Sequence, residues 1–214
     1  MRQTPWRYSI AIASACLLLL LGCLGPSKTS PTRLYVLDSL YHSEMLPAPV
    51  ADLKGTAIGV GPIRIPGKID RSKVVTRTSQ NEIRLNENAE WADPLGDSIT
   101  RVLAENLSIL LHTENISIFP WLKTTVTDYQ VTVDVIDFIG TPGGDALLRA
   151  WWTVFAENGR AELFKSNTTI KETVAGDNIS AMIKTQSRTL GLLSRHIAEA
   201  IKALSEGRKP GTEK

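Results

Sequence analysis

The feature that most constrains this chain is a hydrophobic period of two that sets in near Ile116 and runs to Glu172. Ile116, Ile118 and Pro120 make a short strand, and Tyr129, Val131, Val133, Val135 and Ile139 alternate with Gln130, Thr132 and Asp134 over a long one. In a strand such alternation sends one set of side chains to a core and the other to the opposite face. Thr141-Pro142-Gly143-Gly144-Asp145 reads as a turn. In the returning strand Leu148, Ala150, Trp152, Val154 and Ala156 share one face, while Arg149, Trp151 and Phe155 share the other. Asn158-Gly159 supplies the next hairpin turn, and Ala161 to Glu172 forms the strand after it. The stretch is an antiparallel meander with one core face. On the other face, Trp151 and Phe155 need a cover, which is either a helix of this chain or a partner.

Two segments carry the period of a helix. Leu95, Ile99, Val102, Leu103, Asn106, Leu107 and Leu110 form one apolar stripe, with Asp93 expected as N-cap and Pro94 in the first turn. Trp91, just before, plugs that helix start, with a partner contact as its second reading. His112 falls at the helix end, where a carbonyl or the macrodipole holds it. The second helix runs from after Asp177-Asn178 to about Leu204, its stripe including Ile179, Met182, Ile183, Gln186, Leu190, Leu193, Ile197 and Ile201. It is long enough to cross a whole sheet, and its spacing also fits an oligomer seam with Gln186 as polar register point.

The earlier part of the body adds strands at Arg33 to Asp38 and Ala57 to Pro66, the second bent by Pro62. A hairpin follows, with Val74 to Arg77 and Glu82 to Leu85 joined through Ser79-Gln80-Asn81. Gly59 and Gly61 lack the third glycine and following helix of a phosphate loop. Asp70, Arg71, Lys73 and Arg77 read first as a solvated face and second as an anion site. The fold expected is α/β of the α+β kind: an antiparallel or mixed sheet covered by two long amphipathic helices.

The N-terminus decides location. Arg2 and Arg7 precede an apolar run from Ile10 to Leu21 that ends Leu20-Leu21-Gly22-Cys23. The run of about 12 residues suits a signal-peptide core and falls short of the roughly 20 that span a bilayer as a helix. Its end looks like a bacterial lipobox, which implies cleavage between Gly22 and Cys23. Cys23 then becomes the first mature residue, with diacylglycerol on its thiol and an acyl chain such as palmitate on its amine. Residues 1–22 are thus the signal, 23–32 a Pro- and Ser-containing tether that reaches about 30 Å at most, 33–206 the body and 207–214 a flexible charged tail. Leu24 stands where Asp would signal inner-membrane retention, so the outer membrane is the expected site, on its periplasmic face.

Composition removes several function classes. The chain has 24 Lys and Arg against 22 Asp and Glu, and two of the arginines leave with the signal, so the mature protein is neutral and no nucleic-acid partner is implied. Cys16 lies in the signal and Cys23 in the lipobox, which leaves no disulfide and no thiolate set for zinc. His42, His112 and His196 lack metal-ligand spacing, and Asp134 and Asp137 fall on opposite faces of a regular strand. No catalytic motif or cofactor loop is present, and an enzyme is not expected.

Several stretches together resemble a known family. The lipobox, Tyr35-Val36-Leu37, Ile58-Gly59-Val60-Gly61-Pro62, Asp70-Arg71 to Arg77, Trp91-Ala92-Asp93-Pro94-Leu95 and Arg101 to Leu107 are similar in order and spacing to the ABC-type transport auxiliary lipoproteins, the PqiC or YmbA family. The family often carries Glu where Asp93 stands. The resemblance implies a shape like the N-terminal domain of TolB and a non-enzymatic outer-membrane lipoprotein working with an MCE-domain protein of a lipid transport system, in the service of membrane integrity. It also implies that copies assemble into a homo-oligomeric ring. Arg77, Trp91, Trp151 and Phe155 are the residues proposed for a partner or oligomer interface. The alternative is a lipoprotein that carries lipid itself, in a pocket between sheet and helices.

Overall fold

The computed structural model describes residues 31–42, 46–122 and 124–211. The signal, Gly22, Cys23 and nearly all of the tether lie outside the described residues. In chain order the elements are β1 (Arg33–Tyr35), β2 (Ile58–Arg64), β3 (Lys73–Ser79), β4 (Glu82–Trp91), α1 (Leu95–Leu111), β5 (Ile116–Ile118), β6 (Tyr129–Gly140), β7 (Asp145–Ala156), β8 (Ala161–Thr173) and α2 (Ile179–Ser205). Single 3-10 turns sit at Leu40–His42 and Glu157–Gly159.

All eight strands join one mixed sheet with β6 at its centre. On one edge β6 pairs antiparallel with β7, which pairs with β8, giving the meander read from the sequence. At Asn158-Gly159 both residues have positive φ, 55° and 85°, and Asn158 Oδ1 accepts from the Thr127 N–H at 2.7 Å. On its other edge β6 runs parallel to β2 over residues 129–134 and meets β3 at Gly140. β3 pairs antiparallel with β4, and β4 runs parallel to the short β1. The sheet is therefore mixed rather than purely antiparallel.

β2 bends where Pro62 was expected to bend it. Its register against β6 slips between Val60 and Ile63, around a Gly61-Pro62 peptide that is cis, with Gly61 at φ 119°. The glycines here serve close packing: a Cβ at Gly59 would lie 3.0 Å from Trp121, and one at Gly61 would lie 2.6 Å from Phe119 Cβ. β4 extends past Leu85 to Trp91, across an irregularity in which the Asn86 side chain donates to the Val74 carbonyl at 2.7 Å and stands in for a ladder bond.

α2 packs on the face of β6 and β7 formed by Val131, Val133, Val135, Leu148, Ala150, Trp152 and Val154, α1 packs beside it on β2 and β5, and the core lies between helices and sheet. α1 buries every residue of its predicted stripe. Its N-cap is Pro94, with ψ at 131°, so the helix starts one residue later than the Asp93 cap implied, with Asp97 placed in the first turn. At the other end His112 adopts the left-handed conformation (φ 51°), and its Nδ1 lies 3.1 Å from Asp52 Oδ1, so a carboxylate faces the imidazole. α2 is capped by Asn178, whose Oδ1 accepts from the Ala181 N–H at 2.9 Å. Ile183, Gln186, Leu190, Leu193, Ile197 and Ile201 are all buried within this chain, which corrects the oligomer-seam reading of that stripe. The helices are joined by Asn106, fully buried, which donates to Ser194 Oγ at 3.1 Å and accepts from the Leu40 N–H at 2.7 Å. From Thr32 onward these elements form one compact unit.

Candidate functional site

The candidate side chains gather on the sheet face that no helix among the described residues covers. An interruption in β6 creates this site. Val135 pairs with Ala150 and Asp137 with Arg149, which leaves Ile136 as the extra residue of a β-bulge. A regular strand would put Asp134 and Asp137 on opposite faces. The bulge resets the alternation and puts both on the open face, a correction to the sequence expectation. The signal was present: the strict alternation breaks at Ile136-Asp137-Phe138-Ile139, where two apolar residues follow the aspartate directly.

Asp137 is the centre of an ion cluster. Its side chain is only 4% exposed, while those of Lys68, Arg149 and Arg77 are 48%, 46% and 33% exposed. Lys68 Nζ donates to Oδ1 at 2.7 Å, and Arg149 donates to Oδ2 through Nε at 2.8 Å and also through Nη2. Arg77 Nη2 stands 3.9 Å from Oδ1, and its Nη1 donates to the Gln80 carbonyl at 3.0 Å. Burial alone raises the carboxyl pKa, but the hydrogen bonds and charges of Lys68 and Arg149 outweigh it and hold Asp137 below the usual carboxylate range. Lys68 and Arg149 were not singled out in the sequence, because the turn at 67–69 and the strand β7 meet only in the fold. Nearby, Arg64 pairs with Asp134, and Lys171 Nζ lies 2.8 Å from Asp145 Oδ2.

Of the proposed interface residues, Arg77 and Trp151 face solvent from this side of the sheet, with Trp151 44% exposed and the Lys165 ammonium 5.9 Å from its ring centroid. Phe155 is half-buried, and Trp91 is buried in the core at the end of β4. Trp152, on the helix side, donates through Nε1 to Thr168 Oγ1 at 2.9 Å and stacks at a tilt on Phe164. A second exposed apolar stretch follows β5: Ile118, Phe119, Leu122 and Val126 are 45–77% exposed. A cavity of about 590 Å³ lies between β8, α2 and the segment 208–211, lined by Trp152 and Phe164 but otherwise mainly by polar and charged residues such as His196, Glu199 and Lys202. Among the described residues no group of His, Cys, Asp and Glu could hold a metal ion, and no helix is long and apolar enough to cross a membrane.

Residues 35–198 match the model of a family described as the ABC-type transport auxiliary lipoprotein component. The chain belongs to this family. A solved structure described as an uncharacterized protein is 20% identical and superposes with a TM-score of 0.64, the match covering 80% of this chain and 99% of that one. A second, from Xanthomonas campestris, is 12% identical with a TM-score of 0.65, covering 82% and 98%. At these identities both show the shared fold. No curated protein matches the sequence. Family membership makes this auxiliary lipoprotein a component that assists a transporter.

Proposed function

We propose that this auxiliary lipoprotein is anchored through Cys23 to the periplasmic face of the outer membrane. There it serves as a non-enzymatic docking component for the MCE-domain conduit of an intermembrane lipid transport system. The observation that carries the reading is the match to the auxiliary-component family over residues 35–198. Exposed apolar side chains support it: Ile118, Phe119, Leu122 and Val126 in one stretch, and Trp151 on the open sheet face, are of the kind that partners cover. β8, 13 residues long, pairs only with β7 among the described residues, and its other edge is a template for a neighbouring chain. That edge supports assembly of copies into a ring. The alternative, lipid carried between sheet and helices, would draw on a space such as the 590 Å³ cavity beside β8 and α2. Its largely polar lining suits an acyl chain poorly, which favours the docking role.

Crosslinking in cells followed by capture of the full-length lipoprotein and mass spectrometry tests the reading. Wild type is expected to bring down an MCE-domain protein, and Cys23→Ala to recover less of it. Recovery of none by either protein refutes the conduit partnership.

A further inference from the structure

We propose that the cations around Asp137 form a seat for the phosphate of an anionic phospholipid headgroup. Three cations surround one carboxylate, so the cluster carries an excess of two positive charges, and the neighbouring Asp134 and Asp145 are each engaged by a cation of their own. The geometry is layered. The carboxylate lies beneath the surface at 4% exposure, and the three cationic side chains stand over it, a third to a half exposed. Asp137 occupies one of the three ammonium protons of Lys68 and two of the five guanidinium N–H groups of Arg149, leaving further donors directed away from it. The buried carboxylate thus fixes the cations in advance and lowers the ordering cost of binding an anion. Lys68 comes from the turn at 67–69, Arg77 from β3 and Arg149 from β7. Donors converging from three elements suit a tetrahedral phosphate with several acceptor oxygens better than the planar carboxylate of an acidic side chain. Trp151 makes the headgroup of a lipid the favoured source. It lies two residues from Arg149 on the same face, partly exposed and beside Lys165, and an amphipathic indole among cations is suited to headgroup depth. The proposal concerns the lipid surface and does not depend on the conduit partnership.

The test uses the full chain in neutral detergent micelles, with the Nε–Hε resonances of Arg77 and Arg149 followed by NMR. The probes are dihexanoyl phosphatidylglycerol, its phosphatidylcholine counterpart, inorganic phosphate and a hexaglutamate peptide. Phosphatidylglycerol is expected to shift both resonances more strongly than the other three. Arg77→Gln, which removes no hydrogen bond to Asp137, is expected to weaken the phosphatidylglycerol effect about tenfold at Arg149. Lys68→Gln should do the same at both arginines. Absence of shifts, unchanged affinity in both variants, or tighter binding of hexaglutamate overturns the proposal. So does a response to inorganic phosphate with none to phosphatidylglycerol, because it assigns a free anion in place of the lipid.

Discussion

Replacing Asn106 by Ala tests whether one buried amide holds the two helices in register. The side chain is fully buried, donates to Ser194 Oγ at 3.1 Å on α2, and accepts from the Leu40 N–H at 2.7 Å in the segment that crosses both helices. Each hydrogen bond contributes about 1 kcal/mol, and the void left by the amide costs about 1 kcal/mol more, so a loss of about 3 kcal/mol is expected. Ser194→Ala should cost less, about 1 kcal/mol, because the Leu190 carbonyl that also accepts from the Ser194 hydroxyl at 2.8 Å keeps its helix backbone donor, so only the bond from Asn106 is lost without replacement. In urea denaturation of the full chain, a slope of about 2 kcal/mol/M converts these losses to midpoint shifts of about 1.5 M and 0.5 M, with the slope unchanged. The double variant should fall short of the sum by about 1 kcal/mol, since the two residues share one bond. An Asn106→Ala midpoint within about 0.2 M of wild type refutes the reasoning, because the amide would then contribute little to the joint.

Three further outcomes are expected. Asp137→Asn should destabilise the protein by about 2 kcal/mol near neutral pH, below the roughly 3–5 kcal/mol for breaking a fully buried pair because the cations remain partly solvated. The Asp137 pKa is lowered by folding, so its stabilisation is complete above the unfolded-state value of about 4 and fades as pH drops through the folded value; the gap between the two proteins in thermal melts should close in acid. Gly61→Ala should lose about 2 kcal/mol or more, since it forces a side chain into φ 119° and against Phe119 Cβ at 2.6 Å, and limited proteolysis should show earlier cleavage in the 119–127 loop. Asn158→Ala should cost about 1–2 kcal/mol in chemical denaturation through strain at φ 55° and loss of the acceptor for the Thr127 N–H, whereas Asn158→Gly should recover the backbone part of that loss.

Much of the fold was legible because its signals are local. Alternation through β6, β7 and β8, the Asn-Gly turn and the stripes of α1 and α2 depend on neighbours in sequence, and each element appears where its pattern placed it. The parallel pairing of β2 with β6, across some seventy residues, leaves no local mark. The start of α1 shifted by one residue because the extended ψ of Pro94 keeps that residue outside the helix, a choice both assignments of the Asp-Pro pair allow. The open-face cluster was hardest to foresee. Arg77 was noted beside Asp70, Arg71 and Lys73, its sequence neighbours, yet the fold sets it beside Lys68, Asp137 and Arg149. The bulge at Ile136 decides that regrouping, and it shows in sequence only as a two-residue lapse in an otherwise regular rhythm.

β1 gives the molecule a directional mechanical response. Three residues long and paired, among the described residues, only with Ala89–Trp91, it is the first of the described strands and meets any load arriving from the chain upstream of Thr32. The central strands β6 and β7, twelve residues each, share a ladder of ten residue pairs and bury their inner faces under α2, so they resist separation far longer. A pull from the N-terminal side should therefore peel β1 away as a small, separate yielding step and lengthen the leash while the core stays folded. This three-residue pairing can act as a shock absorber between the chain upstream of Thr32 and the rest of the protein.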